Sequence, residues 1–388
     1  MLLPGVYLHW PFCERKCPYC DFYTFGREHP HHARQADFLE ALLVEIETLP
    51  ERLGLAGPVA IDTLYFGGGT PSLMGPAAAE RLLEALHCVF AVQPGAEVTM
   101  EINPTTAEAA DLPALLGLGI NRLSVGAQSF NDRLLRQLGR VHDAATTRRA
   151  LDLMRRAGCR NLSLDLIFGV PGQSDEDFAA DLAEVLAFAP EHFSAYNLTL
   201  HPGTPYAQWE RTGRLVLPEE DLQVAMFERL MDTLAAAGYE HYEISNWARP
   251  GLAARHNSKY WHRADVYPLG PAAHGVLGSQ SALGARRIAN PPDLPTYLDP
   301  ARRELCVPQE PPATPRACAG EIMMLALRRV AGPGWAELNE WLGADARAFY
   351  APEFARLAAD GLLQCDATGP RLTRAGLLLA DTVMEAFF

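Results

Sequence analysis

Lysine is nearly absent from this 388-residue chain: among 33 basic residues only Lys16 and Lys259 are lysine, and the rest are arginine. Alongside abundant Ala, Gly and Pro this reads as coding bias and carries no stability argument, but any position that keeps lysine stands out. Positive charge is also short. Against 47 acidic residues the formal net charge is −14, which excludes a generic partnership with nucleic acid or an anionic membrane surface. No stretch reaches the ~18 uninterrupted apolar residues of a membrane-spanning helix, so no integral membrane segment is expected. The start, Met1-Leu2-Leu3-Pro4-Gly5, lacks the basic and apolar regions of a secretion signal. Paired cysteines are missing as well. Three of the eight fall close together, and Cys88, Cys159, Cys306, Cys318 and Cys365 stand singly. A secreted disulfide framework would be shorter and denser in cysteine, so a reducing cytoplasm is expected.

What is present is ordinary globular material, 48% apolar and 21% charged, enough for a sizeable core. The length sets a soft expectation of two to three domains at about 150 residues each. Strand-like runs over 6–10, 62–66, 97–102, 120–126, 161–168 and 193–198 alternate with helical patterns over 35–49, 76–89, 112–117, 143–157 and 175–188. Six β-then-α units in series predict an α/β fold with a parallel sheet, curled into a partial (β/α)6 barrel over residues 1–200 or left as a doubly wound open sheet. Residues 201–315 read as a connecting region, with a helix over 219–237, a strand over 239–244 and a linker over 286–315 marked by Pro291-Pro292, Pro295, Pro300, Pro308 and Pro311-Pro312. Residues 316–388 read as helices closed by a short hairpin near 361–373, a small winged-helix-like domain. Between 319 and 388 six Arg face nine Asp or Glu, so DNA binding is not expected of it.

The clustered cysteines read Cys13-Glu-Arg-Lys-Cys17-Pro-Tyr-Cys20, just after the first strand. Three thiolates on one tight loop suit a soft metal centre. A zinc site would want a second pair to close its shell, and none is present. A [4Fe–4S] cluster on three cysteines leaves one iron open, with Arg15 and Lys16 placing positive charge beside it. The plain alternative is a zinc knuckle. The second strand runs into Tyr65-Phe66-Gly67-Gly68-Gly69-Thr70-Pro71-Ser72, where missing Cβ atoms let backbone groups approach a ligand. Glu101, Gln128 and Asp165 lie at or within later strands, with Arg140 beyond. Each alone reads equally well as a structural hydrogen bond or ion pair, since a carboxylate inside an apolar strand needs a partner.

Together these residues resemble the radical S-adenosylmethionine superfamily, and within it the branch of oxygen-independent coproporphyrinogen oxidase and the heme chaperone HemW. The resemblance spans nearly the whole chain from Tyr7. It implies cluster ligation by Cys13, Cys17 and Cys20, with S-adenosylmethionine on the open iron and cleavable there to a deoxyadenosyl radical. It implies cofactor contacts from Tyr7, Gly68, Gly69, Thr70, Glu101, Gln128, Arg140 and Asp165. The oxidase carries a further cysteine two residues after the third ligand, where this chain has Phe22, and a long extension before the cluster, where this chain has 12 residues. Both differences point to the heme chaperone. So does Arg255-His256-Asn257-Ser258-Lys259-Tyr260-Trp261, which holds the H-N-x-x-Y-W run of that group. A neutral imidazole is a good axial ligand for haem iron, making His256 the expected ligand and His241 and His274 its rivals. The run Leu269-Gly270-Pro271-Ala272-Ala273-His274 departs from the more glycine-rich family pattern. The implied partners are haem, haem-acceptor proteins and an electron donor. A homodimer is left open, as is whether radical chemistry occurs, and porphyrinogen oxidation stays as the alternative activity.

Overall fold

The computed structural model describes residues 2–278, 283, 285–309 and 314–388. Strands β1 (Gly5–Trp10), β2 (Val59–Gly68), β3 (Phe90–Ile102), β4 (Arg122–Gln128), β5 (Leu162–Phe168) and β6 (His192–Asn197) lie side by side in chain order, each pair parallel. Helices α1 (Gln35–Leu53), α2 (Gly75–Val89), α3 (Leu112–Gly117), α4 (Asp132–Gln137), α5 (Ala144–Arg156) and α6 (Asp175–Phe188) connect them. The sheet has two free ends, so the barrel is partial. Its strands alternate with period two. Val6, Leu8, Phe66, Met100, Leu123, Leu164 and Phe193 face outward into one buried core shared with the helices. Residues at the other parity are polar: His9, Thr63, Thr99, Arg122, Ser163 and His192 are all buried. Parallel strands covered on both faces usually read as continuous apolar runs. The alternation here marks an interior built from hydrogen-bonding groups.

Residues expected to connect domains instead extend this sheet. After α7 (Pro205–Arg211) and α8 (Glu220–Ala236), the hairpin of β7 (Glu240–Glu243) and β8 (Asn246–Ala248) adds to β6. After α9 (Arg255–Trp261), β9 (Val266–Leu269) pairs with β1 on the opposite flank. Then β10 (His274–Leu277), β11 (Arg286–Ala289) and β12 (Val307–Pro308) follow antiparallel, giving twelve strands in one sheet among the described residues. The stretch expected as a linker is thus built into the sheet edge, with α10 (Leu294–Leu298) between its strands. It is anchored by a buried carboxylate: Glu45 accepts from Gly270 N, Asn290 Nδ2 and Tyr297 OH at 2.8, 2.6 and 2.6 Å. Pro311-Pro312 of that stretch lie outside the described residues.

The C-terminal part follows the expected pattern. Helices α11 (Pro315–Leu327), α12 (Trp335–Leu342), α13 (Ala346–Phe349) and α14 (Ala351–Ala359) precede the hairpin of β13 (Leu363–Cys365) and β14 (Pro370–Leu372), and α15 (Arg374–Leu378) and α16 (Ala380–Glu385) close the chain. Arg329, held by Glu337 of its own part at 2.7 Å, ties it to the barrel by pairing with His262 Nδ1 at 2.7 Å. No helix among the described residues is long and apolar enough to cross a membrane.

Candidate functional site

The cysteine loop leaves β1 and folds back on itself. Cys13 N donates to Phe25 O at 2.9 Å, Cys20 N to Cys17 O at 3.2 Å, and Lys16 Nζ to Phe22 O at 3.0 Å. The glycine loop after β2 docks on it, with Gly69 N donating to Trp10 O at 2.7 Å and Thr70 N to Phe12 O at 2.8 Å. A Cβ on Gly69 would lie 2.7 Å from Phe12 O, 2.8 Å from Trp10 O and 3.0 Å from Cys13 Sγ, so only glycine permits this approach. Gly68 adopts φ +105, and a Cβ there would strike the His9 ring at 2.6 Å.

The two loops roof a cavity of about 510 Å³ at the C-terminal ends of the strands, where parallel α/β barrels carry their chemistry. Cys13, Cys17 and Cys20 share its wall with Gly68 and Gly69, and Glu101, Gln128, Arg140 and Asp165 line it as well. These nine expected site residues therefore face one space. Phe22, Tyr196 and His201 also line it, with Asp21 3.5 Å from His201 Nδ1. Thr70 stands behind the wall: Asn103 Nδ2 donates to its Oγ1 at 2.8 Å, and Arg140 reaches Asn103 Oδ1, Gly126 O and Cys17 Sγ at 2.6, 3.0 and 3.5 Å. This chain of contacts places a guanidinium against the Cys17 thiol.

Burial dominates the electrostatics. The Cys13 thiol is pushed up to about 12 by loss of water, offset in part by a hydrogen bond with Thr70. Burial also raises the Cys20 thiol. Glu101 is pushed up to about 7, again chiefly by burial, although Tyr65 OH at 2.8 Å and Gly68 N at 3.2 Å donate to it. Asp165 is raised for the same reason, with Ser124 Oγ at 3.1 Å and Ser163 Oγ at 3.3 Å as donors.

Two expected residues lie elsewhere. Tyr7 sits beneath the cavity wall, its hydroxyl 3.2 Å from His9 Nδ1 and its ring 6.0 Å from Tyr65 and 6.3 Å from His256. His256 is 1% exposed, with Nδ1 3.0 Å from Thr63 Oγ1 and Nε2 3.4 Å from Tyr260 OH. Burial holds it down at about 3, hence neutral. Both ring nitrogens are engaged, which leaves no position for iron. Its backbone N–H and that of Arg255 donate to Glu97 at 2.9 and 2.8 Å, so α9 plugs the barrel, and only Asn257 of the run lines the cavity. Of the rivals, His241 stacks on Trp247 at 4.2 Å and bonds Ile244 O at 3.1 Å, whereas His274 is exposed and meets Gln309 through Nδ1 at 3.3 Å.

The motifs do not single out Arg122 or Ser194, which also line the cavity. The signal lay in the inward parity of their strands rather than in any spacing. Soft thiol donors on one wall, a glycine cradle and a guanidinium at Cys17 fit an iron–sulfur cluster with a small polar ligand beside it. Among the described residues no three His, Cys, Asp or Glu side chains gather tightly enough for a single metal ion.

Fold and site together define a radical S-adenosylmethionine protein, and the Radical SAM superfamily profile matches residues 7–185, with the HemN C-terminal domain profile matching 313–379. Across its length the chain is 34% identical over 344 residues to the heme chaperone HemW of Synechocystis, covering 87% of this chain and 81% of that protein. It is 32% identical over 389 residues to that of Bacillus subtilis, covering 99% of both. The chain belongs to the heme chaperone HemW family. Its fold also matches the Escherichia coli coproporphyrinogen III oxidase HemN, a radical SAM enzyme, with TM-score 0.80 and 24% identity over 100% of this chain and 90% of that one. That likeness is one of fold.

Proposed function

We propose that this chain is a haem chaperone on a radical-SAM fold. It holds a [4Fe–4S] cluster through Cys13, Cys17 and Cys20, binds S-adenosylmethionine beside it, and binds haem and passes it to acceptor proteins in the cytoplasm. The observation that carries the reading is the cavity on which the three thiols, the glycine cradle and the polar strand ends converge, in a chain whose full-length relatives include heme chaperones. Bound there, the cluster would supply one-electron chemistry or a structural signal, and an electron donor would serve it.

The chain's own residues have separable tasks. Gly68 and Gly69 give a ligand backbone access. Glu101 and Asp165 are hydrogen-bond acceptors for ammonium and hydroxyl groups, Gln128 adds an amide, and Arg140 orients the Cys17 side of the cluster. For haem, His274 offers an exposed imidazole that His256 does not. A homodimer would fit a protein that hands its cargo on.

Hemin titration of the anaerobically reconstituted chain, with and without S-adenosylmethionine, tests the proposal. A Soret shift saturating at one haem per chain is expected, and no stoichiometric binding overturns it. Conversion of coproporphyrinogen with release of deoxyadenosine would install the oxidase activity in its place.

A further inference from the structure

The cavity holds a second guanidinium that the cluster loop does not use. Arg122 opens β4 on the inward face, paired with Thr99 of β3, and is 1% exposed. Its Nε is buried without a hydrogen-bond partner, and so is the Thr99 hydroxyl beside it. Among the described residues no hydrogen bond reaches any nitrogen of this side chain, and no carboxylate lies within 4.0 Å of them. Glu101 and Asp165 are close enough to feel its charge but direct their oxygens to other donors, Tyr65 and Gly68 for one, Ser124 and Ser163 for the other. Arg140 makes the contrast: its two terminal nitrogens are committed to Asn103, Gly126 and Cys17.

A guanidinium removed from water without acceptors is costly. Its planar fork matches a carboxylate in bidentate fashion. Asn257 lies on the same cavity and brings an amide with no side-chain hydrogen bond of its own among the described residues. Glu101, half-protonated near neutrality, repels one further carboxylate only modestly, whereas a dianionic phosphate would meet more repulsion. Resting on the reading of this cavity as the ligand site, we infer that Arg122 is the anchor for a carboxylate carried into the cavity by the guest. Haem carries such a group in its propionates, and S-adenosylmethionine, whose amino-acid end the superfamily holds at the open iron, serves as the control.

The test compares wild type, Arg122→Met and Arg122→Lys as full-length, cluster-reconstituted chains, each titrated with S-adenosylmethionine, hemin and hemin dimethyl ester. Arg122→Met removes an unpartnered buried cation, so its thermal midpoint should not fall and its iron content should be unchanged. It should bind hemin about tenfold more weakly or worse, with Arg122→Lys in between. Hemin affinity reduced to that of the ester assigns the propionate. Weaker S-adenosylmethionine binding with hemin unchanged overturns the assignment to haem. Unaltered affinity for both probes, or a variant that melts well below wild type, overturns the assignment and leaves Arg122 a structural residue. A wild-type chain that binds neither probe overturns the functional reading and this inference with it.

Discussion

Glu101 should couple ligand binding to pH, and the size of the coupling follows from its surroundings. Burial pushes its carboxyl from the ordinary 4.5 to about 7, which sets the charged form about 3 kcal/mol higher than in water. A cationic group of S-adenosylmethionine meeting this carboxylate needs it ionised. The apparent affinity then scales with the ionised fraction, roughly 0.1 at pH 6.0 and 0.8 at pH 7.5 for a pKa of about 7. Affinity should rise about eightfold across that interval. Above pH 8 the ligand's own amino group, near 7.7–8.0, cuts the other way, so the window stops short of it. Glu101→Gln keeps an acceptor for Gly68 N and a partner for Tyr65 OH but cannot titrate, and its affinity should be flat over the window. The sign for folding is opposite. Between 4.5 and about 7 the folded chain binds more protons at this site than the unfolded one, so stability falls as pH rises through that interval. Glu101→Gln should therefore gain on wild type from pH 5 to pH 8, by at most about 3 kcal/mol. Isothermal titration in buffers of different ionisation heat measures the affinity and the proton released at pH 7, and urea melts give the stability. Parallel pH curves for the two proteins, or tighter wild-type binding at pH 6, would refute the reasoning.

Three further outcomes are expected. Cys17→Ser should lose cluster iron and sulfide while the far-ultraviolet dichroism stays unchanged, because this side chain lines a cavity instead of filling the core; retained iron would dismiss it as a ligand. His256→Ala should destabilise the chain by about 2–4 kcal/mol, from a cavity and an orphaned Thr63 hydroxyl, and leave hemin affinity intact, whereas His274→Ala should weaken hemin binding; the reverse pattern in paired titrations would restore His256 as ligand. Lys259→Met should cost about 2–3 kcal/mol, because Asp62 keeps Arg255 at 2.6 Å but loses the lysine at 2.5 Å. The two cations hold Asp62 below the usual carboxylate range. The pair's stabilisation is therefore present above the ordinary aspartate pKa and lost as pH falls through the lowered one, which urea melts at neutral and acid pH would show.

The six parallel strands and their helices were legible because each repeats a local pattern long enough to count. The misreadings fall where the partner is distant. The strand expected over 97–102 begins at Phe90, because Phe90 to Val92 pair with Val59 to Ile61 before the register shifts. The prolines of 286–309 look like a linker because each strand there is four residues or fewer and gains its order from β10 and Glu45. The cavity residues were legible as strand ends. The depth of Tyr7 and His256 was not, since spacing does not say which layer of a barrel interior a side chain occupies. Arg122 illustrates the same limit: one arginine heading an alternating strand resembles any surface arginine until the sheet closes round it.

The two lysines can now be placed. Lys16 closes the cysteine loop on Phe22 O, and Lys259, 4% exposed, ties α9 to Leu3 O and Asp62 at the entry to β1. Both brace backbone and neither lines the cavity. The histidine run that looked like a haem ligand set works largely the same way. Arg255 reaches Asp62 and Gly95 O, His256 meets Thr63, and Tyr260 backs His256. An interior of hydrogen-bonding groups admits water unless it is closed, and water inside would weaken every charge-based contact in the cavity. A polar plug satisfies the buried strand residues at one end while the cysteine loop roofs the other. The run thus closes one end of the interior, and Asn257 is the member of it that lines the cavity.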